Sequence, residues 1–259
     1  MTLHDHYRPL GSTGLSVSPL GLGTVKLGRD QGVKYPNGFR IPDDEQARQL
    51  IALARELGIN LIDTAPAYGV SEERLGPLLA GQREDWVIVS KVGEEFENGQ
   101  SHFDFSPEHT RFSVERSLKR LRTDRIDLVL VHSDGNDILR ISEAYDTLER
   151  LKREGKILAF GLSGKTVEGG LLALGRGDCV MVTYNLNEQA ERPVIDYAVE
   201  QGKGILVKKA LASGHVADVR KSFELLFDRP GVAAAIVGTI NPTHLADNVR
   251  IAAEVLGHG

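Results

Sequence analysis

The sequence predicts an α/β protein built as a (β/α)8 TIM barrel with an N-terminal β-hairpin. Short apolar runs alternate with segments of helical period eight times without a break. The runs are rich in Val, Ile and Leu along their whole length, which is typical of parallel strands that are buried on both faces. The 259 residues are a normal length for one such barrel. We therefore expect a single domain over residues 1–259.

The first elements are marked by glycines and by acidic residues. Short β segments separated by glycines follow Tyr7 and predict a hairpin that leads into a first strand, Pro19 to Thr24. Residues 25–41 are predicted to form a long loop, and loops of that length are often functional. Acidic residues at 43–45 start the first helix, which Gly58 ends.

The seven later units repeat the alternation. Their strands are predicted at residues 60–65, 86–92, 126–132, 158–162, 179–185, 204–209 and 232–238. Their helices are predicted at residues 71–80, 107–122, 141–154, 166–175, 193–201, 215–228 and 243–256. A doubly wound open sheet is the alternative, but the glycines of the first strand lack the G-x-G-x-x-G spacing of a dinucleotide-binding loop. Lys26 stands where a third glycine would follow Gly21 and Gly23, and Gly28 comes too late.

The charge and the cysteine content narrow the function classes. A net charge of −5 and a pI near 5.9 argue against general nucleic-acid binding, so we expect small-molecule partners. The single cysteine, Cys179, cannot form an internal disulfide. Residues 1–6 lack the pattern of a signal peptide, and no apolar run reaches the about 18 residues of a membrane span. We expect a cytoplasmic protein with no metal site, in which His4 and His6 belong to a mobile end.

Four chemically active side chains follow three successive strands. Asp63, Lys91 and His132 stand at the carboxyl ends of the second, third and fourth predicted strands, and Tyr68 follows Asp63 by five residues. Each of them alone has an ordinary explanation as a turn former or a solvated side chain. Because the carboxyl ends of neighbouring barrel strands converge, we expect the four side chains to share one cavity.

These residue types suit proton transfer to a carbonyl oxygen. A phenol has a pKa near 10, and an adjacent ammonium such as Lys91 is expected to lower the pKa of Tyr68. Asp63 would keep Lys91 charged and in place. Tyr68 is then a candidate general acid, with His132 as a second hydrogen-bond donor to the same oxygen. No side chain supplies a hydride, so this chemistry predicts a nicotinamide cofactor.

The motifs resemble those of the aldo-keto reductase family over nearly the whole chain. The similarity runs through L-G-S-T-G-L-S-V-S-P-L-G-L-G-T at 10–24, G-I-N-L-I-D-T-A-P-A-Y-G at 58–69, V-S-K at 89–91 and I-D-L-V-L-V-H at 126–132. The resemblance implies that Asp63, Tyr68, Lys91 and His132 match the family's catalytic tetrad. It implies reversible, NADPH-linked reduction of an aldehyde or ketone to an alcohol. NAD stays possible, because Ile240 stands about where many members have a basic residue for the ribose 2′-phosphate.

The resemblance also implies cofactor contacts, with three departures near the nicotinamide. Gly164 replaces an Asn beside Ser163, Met181 replaces a common Gln, and Lys208 replaces a stacking aromatic residue. Lys208 and Lys209 are also candidates for phosphate contact. The implied cofactor-binding residues are Ser163, Gly164, Asn185, Lys208, Leu211, Ser213, Gly214, Gly238, Thr239, Asn241, His244 and Asn248.

Three loops are expected to line a pocket for a small carbonyl substrate, or to be pinned to the barrel by their aromatic residues. They are residues 25–41 with Tyr35 and Phe39, residues 93–107 with Phe96, Phe103 and Phe105, and residues 133–140. Only residues 257–259 follow the last helix, so an open site with broad carbonyl acceptance is expected. Two other functions stay open: a cofactor-binding sensor or regulatory protein with little turnover, and a sugar dehydrogenase working in the oxidative direction. The sequence does not indicate an oligomeric state.

Overall fold

Strands and helices alternate through the computed structural model, which describes residues 1–33, 35, 38–216 and 218–257. Its strands are β1 (Arg8–Pro9), β2 (Ser16–Val17), β3 (Leu20–Gly23), β4 (Leu61–Asp63), β5 (Val87–Val92), β6 (Glu94–Glu97), β7 (Gln100–Phe103), β8 (Ile126–His132), β9 (Ile157–Ser163), β10 (Cys179–Thr183), β11 (Gly204–Lys208) and β12 (Val232–Val237). Its helices are α1 (Val25–Gly28), α2 (Asp44–Glu56), α3 (Ser71–Leu78), α4 (Pro107–Leu121), α5 (Asp137–Arg153), α6 (Val167–Leu174), α7 (Arg192–Glu200), α8 (Val219–Phe227) and α9 (Pro242–Leu256).

Eight parallel strands close into a barrel. β3, β4, β5, β8, β9, β10, β11 and β12 are neighbours in that order, and β12 pairs with β3 through Ala235 and Leu20. The predicted (β/α)8 TIM barrel is therefore confirmed, and the open-sheet alternative is excluded. The predicted N-terminal hairpin is confirmed as well, since β1 and β2 pair antiparallel with Arg8 opposite Val17.

Apolar side chains fill two layers. The inner layer lies inside the barrel and includes Leu61, Leu128 and Leu206, while a larger layer lies between the strands and the helices. The hairpin β1–β2 contributes the fully buried Leu10 and Val17 to the inner layer. The β1–β2 hairpin therefore closes the amino-terminal end of the barrel, and the other end is left for function.

Helix α2 shows how the local sequence sets an element. Asp43 and Gln46 form a capping box, in which the Asp43 carboxylate accepts from the Gln46 amide at 2.8 Å and the Gln46 side chain accepts from the Asp43 amide at 3.0 Å. The buried face consists of Ala47, Leu50, Ile51 and Ala54, at the predicted helical period. This face packs α2 against the barrel and positions the following strand, β4.

Three predictions differ from the structure by more than two residues. Residues 25–41 are not loop throughout, because α1 forms one helical turn after Thr24; residues 34, 36 and 37 of that stretch lie outside the described residues. Helix α5 begins at Asp137 rather than at 141, because the apolar residues of its first turn, Ile138 and Leu139, are exposed and do not continue the buried helical period. Helix α8 begins at Val219 rather than at 215, because the side chain of the preceding Asp218 caps the helix there.

The largest difference is the hairpin β6–β7 in a stretch predicted as a loop. Its turn is Asn98-Gly99, and both residues have positive φ, 52° and 79°. An Asn-Gly pair between two short strands is a strong hairpin signal, because both of its residues tolerate the left-handed region. The signal is present in the sequence, and the β6–β7 hairpin it specifies carries a residue of the site.

The amino terminus is not the mobile end that was expected. Residues His4–His6 form one turn of 3-10 helix. The preceding Leu3 is fully buried, and its amide donates to the Leu57 carbonyl at 2.9 Å. The described residues contain no group of three or more His, Cys, Asp or Glu placed to hold a metal ion. None of the helices in the described ranges has the length and apolar character that crossing a bilayer requires. The final two residues, on which the expectation of an open site depended, lie outside the described residues.

Candidate active site

Parallel strand ends bring the four predicted catalytic residues to one cavity. Asp63 is the last residue of β4, Lys91 the next to last of β5 and His132 the last of β8. Tyr68 ends the single 3-10 turn Pro66–Tyr68 that follows β4. All four line a cavity of about 1240 Å³ at the carboxyl end of the barrel. The sequence prediction that they share one cavity is therefore confirmed in geometry; their catalytic roles stay predictions.

Asp63 and Lys91 form a buried ion pair. The Lys91 ammonium donates to Asp63 Oδ1 at 2.6 Å and to the Thr64 carbonyl at 2.9 Å. Their side chains are only 5 % and 2 % exposed. A buried charge is strongly unfavourable without its partner, so removing either side chain would leave the other uncompensated.

Tyr68 lies against this ion pair. Its hydroxyl donates to Asp63 Oδ2 over 3.4 Å, and the Lys91 ammonium is 4.7 Å from the centre of its ring. Burial raises the pKa of Tyr68 well above 10, and the Asp63 carboxylate adds to the increase. The expected lowering of this pKa by Lys91 is therefore wrong for the free protein, because the ammonium is bound to Asp63 and Thr64 instead of to the phenol. Tyr68 is a neutral hydrogen-bond donor at neutral pH.

His132 contacts Tyr68 on one side and Glu94 on the other. Its ring is perpendicular to that of Tyr68, with centroids 6.2 Å apart. Its Nδ1 lies 2.8 Å from Glu94 Oε2. Burial lowers the pKa of His132, against the opposing effect of Glu94. Burial would raise the pKa of Glu94, but His132, Ser101 and Arg29 outweigh it and lower that pKa to about 2.

Glu94 is the residue of this site that the sequence reasoning missed. It is the first residue of β6 and lines the same cavity as the tetrad. Nothing in its local sequence separates it from Glu95 and Glu97. The Asn98-Gly99 turn could have located the hairpin, but only the folded hairpin shows that Glu94 faces His132.

The predicted nicotinamide end contains a polar cluster. The Lys208 ammonium donates to Ser163 Oγ at 3.0 Å and to the Gly164 carbonyl at 2.6 Å. Ser163 is opposite His132 in the β8–β9 register, which places the cluster beside the tetrad. Met181 is the strand neighbour of Ser163 and lines the cavity. The three departures from the family pattern, Gly164, Met181 and Lys208, therefore lie together. Lys208 hydrogen-bonds the segment 163–164, and Met181 pairs with Ser163 on the neighbouring strand.

Nine of the twelve predicted cofactor-binding residues line the cavity, and three do not. The nine are Ser163, Lys208, Leu211, Ser213, Gly214, Gly238, Thr239, His244 and Asn248. Gly164 contributes its carbonyl to Lys208, and a Cβ there would be 3.1 Å from the Asp137 carboxylate. Asn185 donates its amide to the Lys209 carbonyl at 3.1 Å and so holds the loop after β11. Asn241 caps α9 by accepting from the amides of Thr243 and His244, as the helix-start pattern predicted.

The loop after β11 has an unusual backbone. Lys209, Ala212 and Ser213 all have positive φ, between 46° and 58°. Residues other than glycine adopt this region at a cost of about 1–3 kcal/mol each, and such strain clusters at ligand sites. The strain agrees with the prediction that residues 209–214 contact the cofactor, which stays a prediction.

The aromatic residues of the predicted substrate loops divide into two groups. Tyr35 and Phe103 line the cavity. Phe39 packs edge-on against Tyr35, Phe96 lies under the Arg29 guanidinium at 3.3 Å, and Phe105 is buried beneath Arg140. Both expected roles are therefore present, since two side chains line the pocket and three fix the loops. In the third loop, residues 133–140, Ser133 lines the cavity.

Comparison with known proteins identifies the family to which these features correspond. The model of the aldo/keto reductase family matches residues 19–224. L-galactose dehydrogenase of Arabidopsis thaliana is 32 % identical over 221 residues, which are 80 % of this chain and 66 % of that protein. An aldo-keto reductase of Bacillus subtilis is 32 % identical over 215 residues, 80 % of this chain and 62 % of the relative. The chain thus spans less than two thirds of the length of these curated relatives.

Solved structures cover the chain almost completely. The crystal structure of an aldo-keto reductase homologue from Pseudomonas aeruginosa is 72 % identical, with a TM-score of 0.92 and 98 % of both chains covered. The holo form of an aldo-keto reductase from Bacillus halodurans is 26 % identical, with a TM-score of 0.81, and the match covers 97 % of this chain and 94 % of that one.

Proposed function

The chain belongs to the aldo-keto reductase family, and we propose that it reduces aldehydes or ketones to alcohols with a hydride from NADPH. The observation that carries the proposal is the convergence of Tyr68 and His132 with the buried Asp63–Lys91 pair at one cavity. The four side chains provide a neutral proton donor, a fixed cation beside it and a second polar group. These are the groups that proton transfer to a carbonyl oxygen needs.

The cavity suits a dinucleotide. Its volume of about 1240 Å³ exceeds the roughly 300–1,000 Å³ of ordinary small-molecule sites. It reaches from the tetrad to His244 and Asn248 in the first turns of α9, and a helix N-terminus attracts phosphate. In the proposed arrangement Ser163 and Lys208 hold the nicotinamide end. Leu211, Ser213 and Gly214 hold the pyrophosphate, and Gly238, Thr239, His244 and Asn248 hold the adenosine end.

The proton follows a short path in the proposed reaction. When bound, NADPH supplies the hydride that forms the new C–H bond at the carbonyl carbon. Tyr68 donates its phenolic proton to the carbonyl oxygen, which completes the alcohol. The phenolate that remains lies beside the Lys91 ammonium, which is 4.7 Å from the centre of its ring, until solvent reprotonates it. Asp63 holds Lys91 in position throughout by accepting a hydrogen bond from its ammonium.

The Tyr68→Phe variant tests this function. It removes the proton donor and keeps the ring, so we expect reduction of aldehydes and ketones to fall by at least about 100-fold while NADPH binding is retained. NADPH oxidation by absorbance and cofactor binding by fluorescence titration measure the two effects. A wild-type protein that binds cofactor but turns over neither carbonyls nor alcohols would support the sensor alternative. Turnover of sugar alcohol groups without carbonyl reduction would support the dehydrogenase alternative.

Two further measurements test the finer parts of the proposal. Direct titration with both cofactors is expected to show tighter binding of NADPH than of NADH, and a clear preference for NADH would contradict it. A panel of aldehydes and ketones is expected to give comparable kcat/KM values, as broad acceptance requires. Preference for one substrate by several orders of magnitude would exclude broad acceptance.

A further inference from the structure

Glu94 makes a close polar contact with a residue of the proposed catalytic set. Its Oε2 lies 2.8 Å from His132 Nδ1, and the two side chains are 13 % and 21 % exposed. Nδ1 is buried and has no well-aligned hydrogen-bond partner among the described residues. The contact to Glu94 is therefore short but bent, and its effect is chiefly that of a negative charge next to the ring nitrogen.

The Glu94 carboxylate is fixed from its other side. Ser101, on the paired strand β7, donates its hydroxyl to Glu94 Oε1 at 2.6 Å. The Arg29 guanidinium stacks on Phe96 of the same hairpin and donates to the Ala67 carbonyl at 3.0 Å. Ala67 directly precedes Tyr68. Arg29 thereby ties the hairpin that carries Glu94 to the turn that carries Tyr68, so Glu94 is held relative to both rings of the site.

The contact determines which ring nitrogen of His132 bears the proton. A carboxylate only accepts hydrogen bonds, so the neutral ring is more stable with its proton on Nδ1. His132 lines the cavity, and its Nε2 has no hydrogen bond to any described residue, so Nε2 is the nitrogen available there. In the neutral ring Nε2 carries a lone pair; in the protonated ring it carries a hydrogen.

We propose that Glu94 is a positioning residue that holds His132 in the Nδ1–H tautomer and leaves Nε2 free for the reacting oxygen. The proposal rests on the proposed function for the identity of that oxygen. Neutral His132 accepts a hydrogen bond from an alcohol at Nε2, and protonated His132 donates one to a carbonyl. The sequence predicts that His132 donates a hydrogen bond to the carbonyl oxygen. In this proposal its Nε2 donates only when the ring is protonated.

The charged groups around His132 set its pH range. Burial is the main factor that opposes protonation of the ring; Glu94 favours protonation, and Lys91 and Lys208 oppose it more weakly. The phenol of Tyr68 faces the ring and stays neutral. Loss of the Glu94 charge therefore lowers the pKa of His132 further. The protonated ring, which is the form that assists carbonyl reduction, is then populated only at more acidic pH.

Nitrogen-15 NMR of labelled histidine in the free protein tests the proposal without any turnover. His132→Gln identifies the His132 signals. We expect wild-type protein to show Nδ1–H in the neutral ring, and Glu94→Gln to lower the pKa of His132 by about 1–3 and to lose the preference for Nδ1–H. Glu97→Gln, an exposed position on the same hairpin strand, is the matched control and should leave His132 unchanged. An unchanged tautomer and pKa in Glu94→Gln would overturn the proposal.

Kinetics provide the second readout. In Glu94→Gln we expect the fall of kcat for carbonyl reduction with rising pH, which follows deprotonation of His132, to move to lower pH. Cofactor Kd should be unchanged, and Glu94→Asp should recover part of the shift. If circular dichroism shows that Glu94→Gln does not fold, Ser101→Ala replaces it, and a smaller shift in the same direction is expected; no shift would refute the role of Glu94. A protein that reduces no carbonyl would refute the proposed function, while the NMR result would still decide the tautomer.

Discussion

The ammonium of Lys208 donates a hydrogen bond to the hydroxyl of Ser163 at 3.0 Å. Burial lowers the pKa of Lys208 to about 8, although the Glu191 carboxylate opposes the decrease. A cation that loses its charge near pH 8 therefore lies on the cavity wall beside the tetrad.

Binding of oxidised cofactor is expected to depend on the charge of Lys208. The oxidised nicotinamide ring is positive and the reduced ring is neutral. A charged Lys208 therefore weakens the binding of NADP+ but not that of NADPH. At about pH 9 and above the lysine is largely neutral, and NADP+ should bind roughly 10-fold more tightly than at pH 7, whereas NADPH should change little. Lys208→Met should bind NADP+ at pH 7 as tightly as wild type does at high pH. Fluorescence titrations measure both, with Lys221→Met on the surface as the control; a parallel change for both cofactors would contradict the prediction.

Loss of one member of the Asp63–Lys91 pair should destabilise the whole barrel. Asp63→Asn leaves the 2 % exposed Lys91 side chain without a counter-charge, and a broken buried pair costs about 3–5 kcal/mol. Asp44→Asn breaks an ion pair in which the aspartate is 73 % exposed, and this should cost at most about 1 kcal/mol. Denaturant unfolding of the two variants measures the difference. Equal free energies of unfolding would show that the buried pair does not behave as a desolvated one.

Tyr68 should remain protonated beyond the pH at which an ordinary tyrosine ionises. Its pKa is raised by burial and by the Asp63 carboxylate, so the phenolate is absent up to about pH 10 in the free protein. Difference absorbance of wild type against Tyr68→Phe should therefore show no phenolate signal up to that pH. A signal at lower pH would mean that Lys91 lowers the pKa of Tyr68 after all, as the sequence alone suggested.

The turn of the β1–β2 hairpin should tolerate no side chain at Gly11. Gly11 has φ of +54°, and a Cβ there would lie 2.3 Å from the Gly204 amide nitrogen and 2.4 Å from the Lys203 carbonyl carbon. Gly14 has φ of +81° with nothing within 4 Å, so it isolates the cost of the backbone conformation. Gly14→Ala should cost about 1–2 kcal/mol, and Gly11→Ala a further about 1–3 kcal/mol from overpacking. Thermal or denaturant unfolding compares them, and equal losses would mean that the hairpin moves away from Gly204.

The strand–helix alternation and the meeting of Asp63, Lys91 and His132 followed from the sequence because both depend on local pattern. Apolar period sets each element, and chain adjacency of β4, β5 and β8 makes their ends neighbours in a parallel barrel. The β6–β7 hairpin was also encoded locally, by its Asn98-Gly99 turn. The strands of this hairpin are polar, so a search for apolar periodicity did not detect them.

The electrostatic state of the site was decided by the tertiary structure alone. The sequence showed that Tyr68, Lys91 and Asp63 come together, but not that Lys91 would bond Asp63 and Thr64 and leave the Tyr68 pKa raised. Glu94 reaches His132 from a separate hairpin, and Lys208 reaches Ser163 across the barrel mouth from 45 residues away. Residue types and spacing specify which groups meet, whereas pKa and hydrogen-bond direction depend on distances of a few ångströms and on burial, which only the packed fold sets.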